Sequence, residues 1–362
     1  MTNIPVKSAG KLIVLELSQT ARAIQIYVLS NTTYPIYTRY YQRTTSGESW
    51  SEWDRLAKFS VVSSINDRVT EIEGTLKSPK IKHESGSFEN GLATERISVY
   101  IPATTGYLMY RLYHFIDSSI NCDCWQIYNL YFVNESLGGQ IDLTAKGEWE
   151  CALHLAGRDD FSGGHTHGDE LFTSLTVLLN GVPVDASTLT ANTDFDKLTI
   201  IRASKLYDPS DHTTEIAEHG VEYVFNKNGL TIRQSIKWLV SAELTNCFMA
   251  MFTPLKSKID RAFFNSRSDI VELASATSER TDTVTASKAT STTLWDSEGG
   301  LSATIATPSY PMGLTGGDNA SISDNGGLSY NKLYYKVCGT GYTSTVGELW
   351  KSESVYALNF NT

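Results

Sequence analysis

Two histidines, four carboxylates and an arginine fall within the thirteen residues Arg158-Asp-Asp-Phe-Ser-Gly-Gly-His-Thr-His-Gly-Asp-Glu170. Arg158 supplies a fixed cation, and Asp159, Asp160, Asp169 and Glu170 supply acids or bases. His165 and His167 exchange protons near neutrality. If the segment is extended, His165, His167 and Asp169 share one face, because side chains alternate with a period of two. Two imidazoles and a carboxylate are a frequent shell for a catalytic zinc or a non-haem iron. A divalent metal is therefore the one cofactor these residues suggest; no other is expected. Without a metal, a carboxylate pair suits glycoside hydrolysis. His165 or His167 with Arg158 and a tyrosine suits elimination from a uronate. The catalytic candidates are Arg158, His165, His167, Asp169 and Glu170. As a binding surface, Arg158, Asp160, His165, His167, Asp169 and Glu170 offer the fixed polar groups that give a concave glycan site its specificity. The alternative is a turn whose side chains satisfy nearby backbone groups. Gly163, Gly164 and Gly168 make the backbone permissive, so the chain can bend and approach a ligand closely.

Apolar, strand-like runs flank this loop, from Trp149 to Leu155 and from Leu171 to Leu179. A second acidic stretch with histidines, Asp208, Asp211, His212, Glu215, Glu218 and His219, either reaches the loop or is a solvated connection. Arg233 and Lys237 share a face of the strand expected from 229 to 240. They suit an anionic glycan, or pairing with the protein's own carboxylates. Tyr107, Tyr110, Tyr113, Trp125, Tyr128, Tyr131 and Trp238 are candidate sugar platforms, most of them expected in the core. The spelling His-x-His-x-Asp resembles the first metal motif of metallo-β-lactamase-type hydrolases, yet Glu170 stands where that family carries a further His, and few helices are expected here. In cupins the Glu follows the His-x-His after a longer gap. No Walker loop, Gly-x-Gly-x-x-Gly or Gly-x-Ser-x-Gly is present, which argues against ATP, NAD and α/β-hydrolase chemistry.

The elements that would hold these residues read as strands. The 362 residues include 19 tyrosines, and aromatic and β-branched residues fit a pleated, half-buried surface. Short apolar or alternating runs recur from Glu95 to Phe360, and Asn226-Lys-Asn-Gly229 is a hairpin signal. This spacing predicts an all-β sandwich of the jelly-roll kind. The polar residues 273–327 are expected as surface loops with a few edge strands. A net charge of −10 argues against nucleic acid, which needs a basic face. No apolar run is long enough to span a membrane, and no signal peptide is apparent at the N-terminus. The five cysteines are an odd number without metal-ligand spacing, and are expected as buried thiols.

In the first 58 residues three strand candidates precede Trp50 and Trp53, which are expected to cap a small core. A strand with Tyr37, Arg39 and Tyr40, a Ser-Gly turn, then Trp50, Trp53 and Leu56, resembles the knob modules of bacteriophage and pyocin tail fibres. That resemblance covers about the first sixth of the chain. It implies a virion protein that joins other tail proteins in a fibre and contacts a host surface; the thiols and the N-terminus fit a protein expected to be made in the host cytoplasm. Val62, Ile65, Val69, Ile72 and Leu76 follow an a/d heptad spacing, which leaves open a dimer, a trimer or an amphipathic helix lying on its own chain; tail fibres are commonly trimeric, so the resemblance implies a homotrimer. The reading is then a knob at 1–58, a trimerising helix and linker at 59–91 and a large β-sandwich at 92–362. It describes a tail-fibre receptor-binding protein for a host-surface polysaccharide. The alternatives are a tail-associated depolymerase acting through His165 and His167, and a purely structural fibre or baseplate subunit.

Overall fold

The structure is a computed structural model. It describes residues 77–361, except 148, 150, 274–282, 310–319, 324–327 and 339–340, and the backbone of five strands within the first 55 residues. Two compact units divide at Lys77 and Ser78.

In the first unit, antiparallel strands Gly10–Leu17, Arg22–Leu29, Tyr37–Thr44 and Gly47–Trp50 pair in chain order, and Asp54–Arg55 adds to the Tyr37 strand. The register sets Tyr41 opposite Trp50 across the Ser-Gly turn. Trp53, Leu56 and the heptad from Val62 to Leu76 lie outside the described residues.

The second unit is an all-β sandwich made of one 16-stranded sheet and one six-stranded sheet. The large sheet begins with a meander, Lys80–Phe88, Ala93–Ala103, Gly106–Asp117 and Cys122–Asn134. It continues with Glu170–Leu179, Lys197–Tyr207, Glu215–Asn226, Gly229–Trp238 and the C-terminal Leu349–Phe360. These neighbours are antiparallel except at one place, where Glu170 and Leu171 run parallel to Cys122 and Asp123. A parallel neighbour requires a long crossover. Here the crossover is the chain from 135 to 169, which visits the small sheet through strand Ala152–Leu155 before returning. The Arg158–Glu170 loop is the end of that crossover.

The large sheet bends over until its faces meet. Strands spaced about 4.8 Å apart would set Tyr110 and Phe225, four strands apart, about 19 Å from each other in a flat sheet. Their ring centroids are 5.3 Å apart. The small sheet, with strands Glu243–Phe252 and Lys332–Lys336, packs into the same core. Trp149 lies 5.4 Å from both Phe252 and Tyr356. Tyr356 donates across the sheets to the Met251 carbonyl at 3.1 Å. Each fully buried large side chain of this kind stabilises by about 1.5–3 kcal/mol. All five cysteines are unbridged and buried.

Two expectations need correction. The stretch 78–91 is no linker: Lys80–Phe88 is a strand that pairs with Ala93–Ala103. Its alternation turns Ile81 and His83 inward between exposed or half-exposed neighbours. The polar region 273–327 also contributes core. Leu294, Leu301, Ala303, Ile305, Ala320 and Ile322 are buried, because Ser and Thr alternate there with small apolar residues that face inward.

Candidate functional site

In the loop, residues Gly164–His167 form one helical turn rather than an extended segment. His165 and His167 therefore point apart. The His165 ring stacks on Phe115 at 3.9 Å and meets Tyr128 edge-on. Burial pushes its imidazole below the usual histidine range, and its Nε2 has no hydrogen-bond partner among the described residues. His167 instead lies on Phe161, 4.8 Å between centroids, and its Nδ1 is 3.0 Å from Asp160 Oδ1. Asp169 turns the other way, accepting from Asn121 Nδ2 at 3.0 Å and His212 Nδ1 at 2.8 Å. The expected face of two imidazoles and a carboxylate does not form. Among the described residues no group of three His, Cys, Asp or Glu is placed to hold a metal ion.

The turn is helical because its free N–H groups, which a helix start leaves unpaired, find buried acceptors. Gly164 N donates to Glu170 Oε2 and His165 N to Gln126 Oε1, both at 2.7 Å. Glu170 is fully buried and also accepts from Arg202, Ser204 and His219. Burial alone would raise its carboxyl, but the Arg202 guanidinium and the His219 ring outweigh that and hold it well below the usual carboxylate range. His219 Nε2 lies 3.3 Å from Gln234 Oε1, and the other end of that amide donates to the Met249 carbonyl of the small sheet. Glu170 thus ties the loop to two further strands of the large sheet, Lys197–Tyr207 and Glu215–Asn226, and, through Gln234, to the second sheet. It is a buried lock, with no oxygen presented to solvent.

The second acidic stretch does reach the loop. Arg158 grips Asp208 with two bonds, 2.7 and 2.6 Å, and this guanidinium pulls the Asp208 carboxyl down to about 2. His212 meets Asp169, and His219 meets Glu170. Arg233 and Lys237 pair with the protein's own acids on neighbouring strands. Arg233 contacts Glu353 at 2.7 Å and Glu222 at 3.4 Å, and Lys237 contacts Glu218 at 3.0 Å. Asp169 and Glu170 are thus engaged by separate partners, Asn121 and His212 for the first and Arg202, Ser204 and His219 for the second.

A different place gathers polar groups around an open cavity. Its volume is about 350 Å³, and His83, Glu95, His114, Trp125 and Phe172 line it, with the segment 184–187 as its rim. The strand register sets Glu95 opposite His114 and His114 opposite Trp125. These residues continue the inward face that carries Ile97, Leu112 and Ile127. Where the apolar core ends, the same face turns polar. His114 stacks on Trp125, 5.0 Å and 11° from parallel, and its Nε2 is 2.8 Å from Asp123 Oδ1. The Glu95 oxygens lie 4.0 Å from His83 Nε2 and 3.7 Å from His114 Nδ1. Both distances exceed a hydrogen bond and fall within ion-pair range, and the Glu95 side chain lines the cavity. Of these residues only Trp125 is among the aromatic candidates that the sequence suggests. His83 sat in the supposed linker, and Glu95 and His114 sat within expected strands. The signal that would have found them is a polar residue at an inward position of an otherwise apolar face.

No family model and no curated protein matches the sequence. Solved structures with a distant likeness include an α-galactosidase of glycoside hydrolase family 36 from Geobacillus stearothermophilus, in complex with raffinose. It has a TM-score of 0.38 and 10% identity over 78% of this chain, which spans 40% of that chain. A galactose mutarotase-like protein from Clostridium acetobutylicum has a TM-score of 0.38 and 9% identity, over 78% of this chain and 99% of that one. A putative aldose 1-epimerase from Escherichia coli K12 has a TM-score of 0.34 and 10% identity, over 73% of this chain and 100% of that one. Likeness of this degree says nothing of activity or substrate.

Proposed function

We propose that this chain is a phage tail-fibre receptor-binding protein whose second unit binds a host-surface saccharide. The observation that carries the saccharide reading is the cavity over Glu95, His114, Trp125 and Phe172. It combines ring faces with an unbonded carboxylate, in a volume of about 350 Å³. A pyranose offers apolar C–H faces and outward hydroxyl donors, and a concave site with aromatic walls and few fixed polar groups suits both. The virion setting rests on the Tyr37, Arg39, Tyr40, Trp50, Trp53 and Leu56 pattern, with a homotrimer and other tail proteins as partners. In this reading the Arg158–Glu170 loop, whose residue types suggest a contact surface, supports the strands beside the cavity.

A glycan array probed with the full chain tests the reading. Wild type is expected to retain a defined set of host-type saccharides. His114→Ala and Phe172→Ala, still folded by circular dichroism, are expected to bind about tenfold more weakly, the loss that one aromatic wall contact implies. Full binding by both folded variants, or no saccharide bound by wild type, would reject the site.

A further inference from the structure

We infer that the cavity selects a cationic amino sugar, a pyranose carrying a free ammonium group. This deepens the saccharide reading and rests on it. None of the residues lining the cavity is Lys or Arg. Glu95 and Asp185 line it, and Asp123 adjoins it through His114. Three carboxylates against the two imidazoles of His83 and His114 leave the site negative whichever rings are protonated. Asp123 is occupied by His114, and Asp185 accepts from Ser187 N at 2.9 Å and Ser187 Oγ at 2.7 Å. Among the described residues Glu95 alone of the three has no hydrogen bond; it stands between the two rings, in ion-pair range of each at 4.0 and 3.7 Å. An ammonium group brings three donors and a charge of the right sign to it. The flat ring of His114, backed by Trp125, and the tilted ring of Phe172 at 5.4 Å complete a wall that a cation also favours. A uronate would bring like charge to the same place, which disfavours the anionic glycan that Arg233 and Lys237 suggested; those two are engaged with Glu353, Glu222 and Glu218.

The test is calorimetric titration of the full chain at pH 6 with three probes: glucosamine oligomers, their N-acetylated counterparts and oligogalacturonate. The amine is expected to bind at least about tenfold tighter than the N-acetyl form, the gain of one charge-assisted hydrogen bond, and the uronate is expected not to bind. Glu95→Gln is expected to remove the preference while keeping the N-acetyl affinity. Glu298→Gln, on an exposed turn outside the cavity, is expected to keep the preference, which separates the site from diffuse attraction to an anionic chain. Equal affinity for the amine and N-acetyl forms, or a preference that survives Glu95→Gln, overturns the amino-sugar inference but leaves the saccharide reading standing. Absence of binding by these probes and by a panel of neutral hexoses overturns both.

Discussion

Glu170 shows how one side chain can look like chemistry and act as structure. It is fully buried against Arg202, His219, Ser204 and the Gly164 amide. Removing one member of a buried charged set leaves the rest uncompensated and costs about 3–5 kcal/mol. Glu170→Gln is therefore expected to lower stability by roughly that amount in urea unfolding; a change below about 1 kcal/mol would contradict the lock. The neighbouring pair, exposed His212 on buried Asp169, behaves differently. A hydrogen bond to Asp169 raises the His212 imidazole above its ordinary value. A raised folded value favours the protonated form, so the contribution is fully present below the unfolded value and fades as pH rises through the folded one. Urea titrations at pH 5 and pH 8.5 should show wild type losing more stability at the higher pH than His212→Gln does. Asp208 has the opposite sign. Its depressed carboxyl, at about 2, contributes above the unfolded value near 3.8 and ceases to contribute as pH falls through about 2.

At the scale of elements, the loop is shaped by close approach of backbone to backbone. Gly168 has a φ of +80°, and a Cβ there would lie 1.9 Å from the Ile120 carbonyl oxygen. Gly157 has a φ of +72° with open space around it. Gly157→Ala is expected to cost only the strain of a left-handed backbone, about 1 kcal/mol. Gly168→Ala is expected to cost clearly more, because backbone itself must move. Thermal melts of the two variants compare them directly, and equal shifts would contradict the packing described. Glycines that read as freedom to approach a ligand serve instead to approach the protein's own chain. The strands themselves were legible. The runs before and after the loop, and the hairpin at Asn226 and Gly229, stand where alternation and turn residues put them. The helical turn at Gly164 was not legible, because its cause is Gln126 and Glu170 supplying acceptors from outside the segment. The Lys80–Phe88 strand was missed because Lys, Ser and Gly outweighed the inward Ile81 and His83. The cavity was not legible because five separate strands and the segment 184–187 contribute to it, and only the folded register brings Glu95, His114 and Trp125 into line.

For the whole molecule, the boundary at Ser78 predicts that residues 78–362 fold without the first unit. A cooperative melt of that fragment is the expected result, and an unfolded fragment would contradict the division. The proposed fibre role predicts a trimer for the full chain in sedimentation equilibrium; a monomer at high concentration would remove that part of the proposal. The central claim is that the cavity at the polar end of the sandwich core takes a saccharide through His114, Glu95 and Phe172. Its most direct test is calorimetric titration of wild type and His114→Ala with whichever oligosaccharide the array selects. The account predicts saturable binding with one site per chain, weakened about tenfold or more in the variant. Equal dissociation constants for the two folded proteins would contradict it.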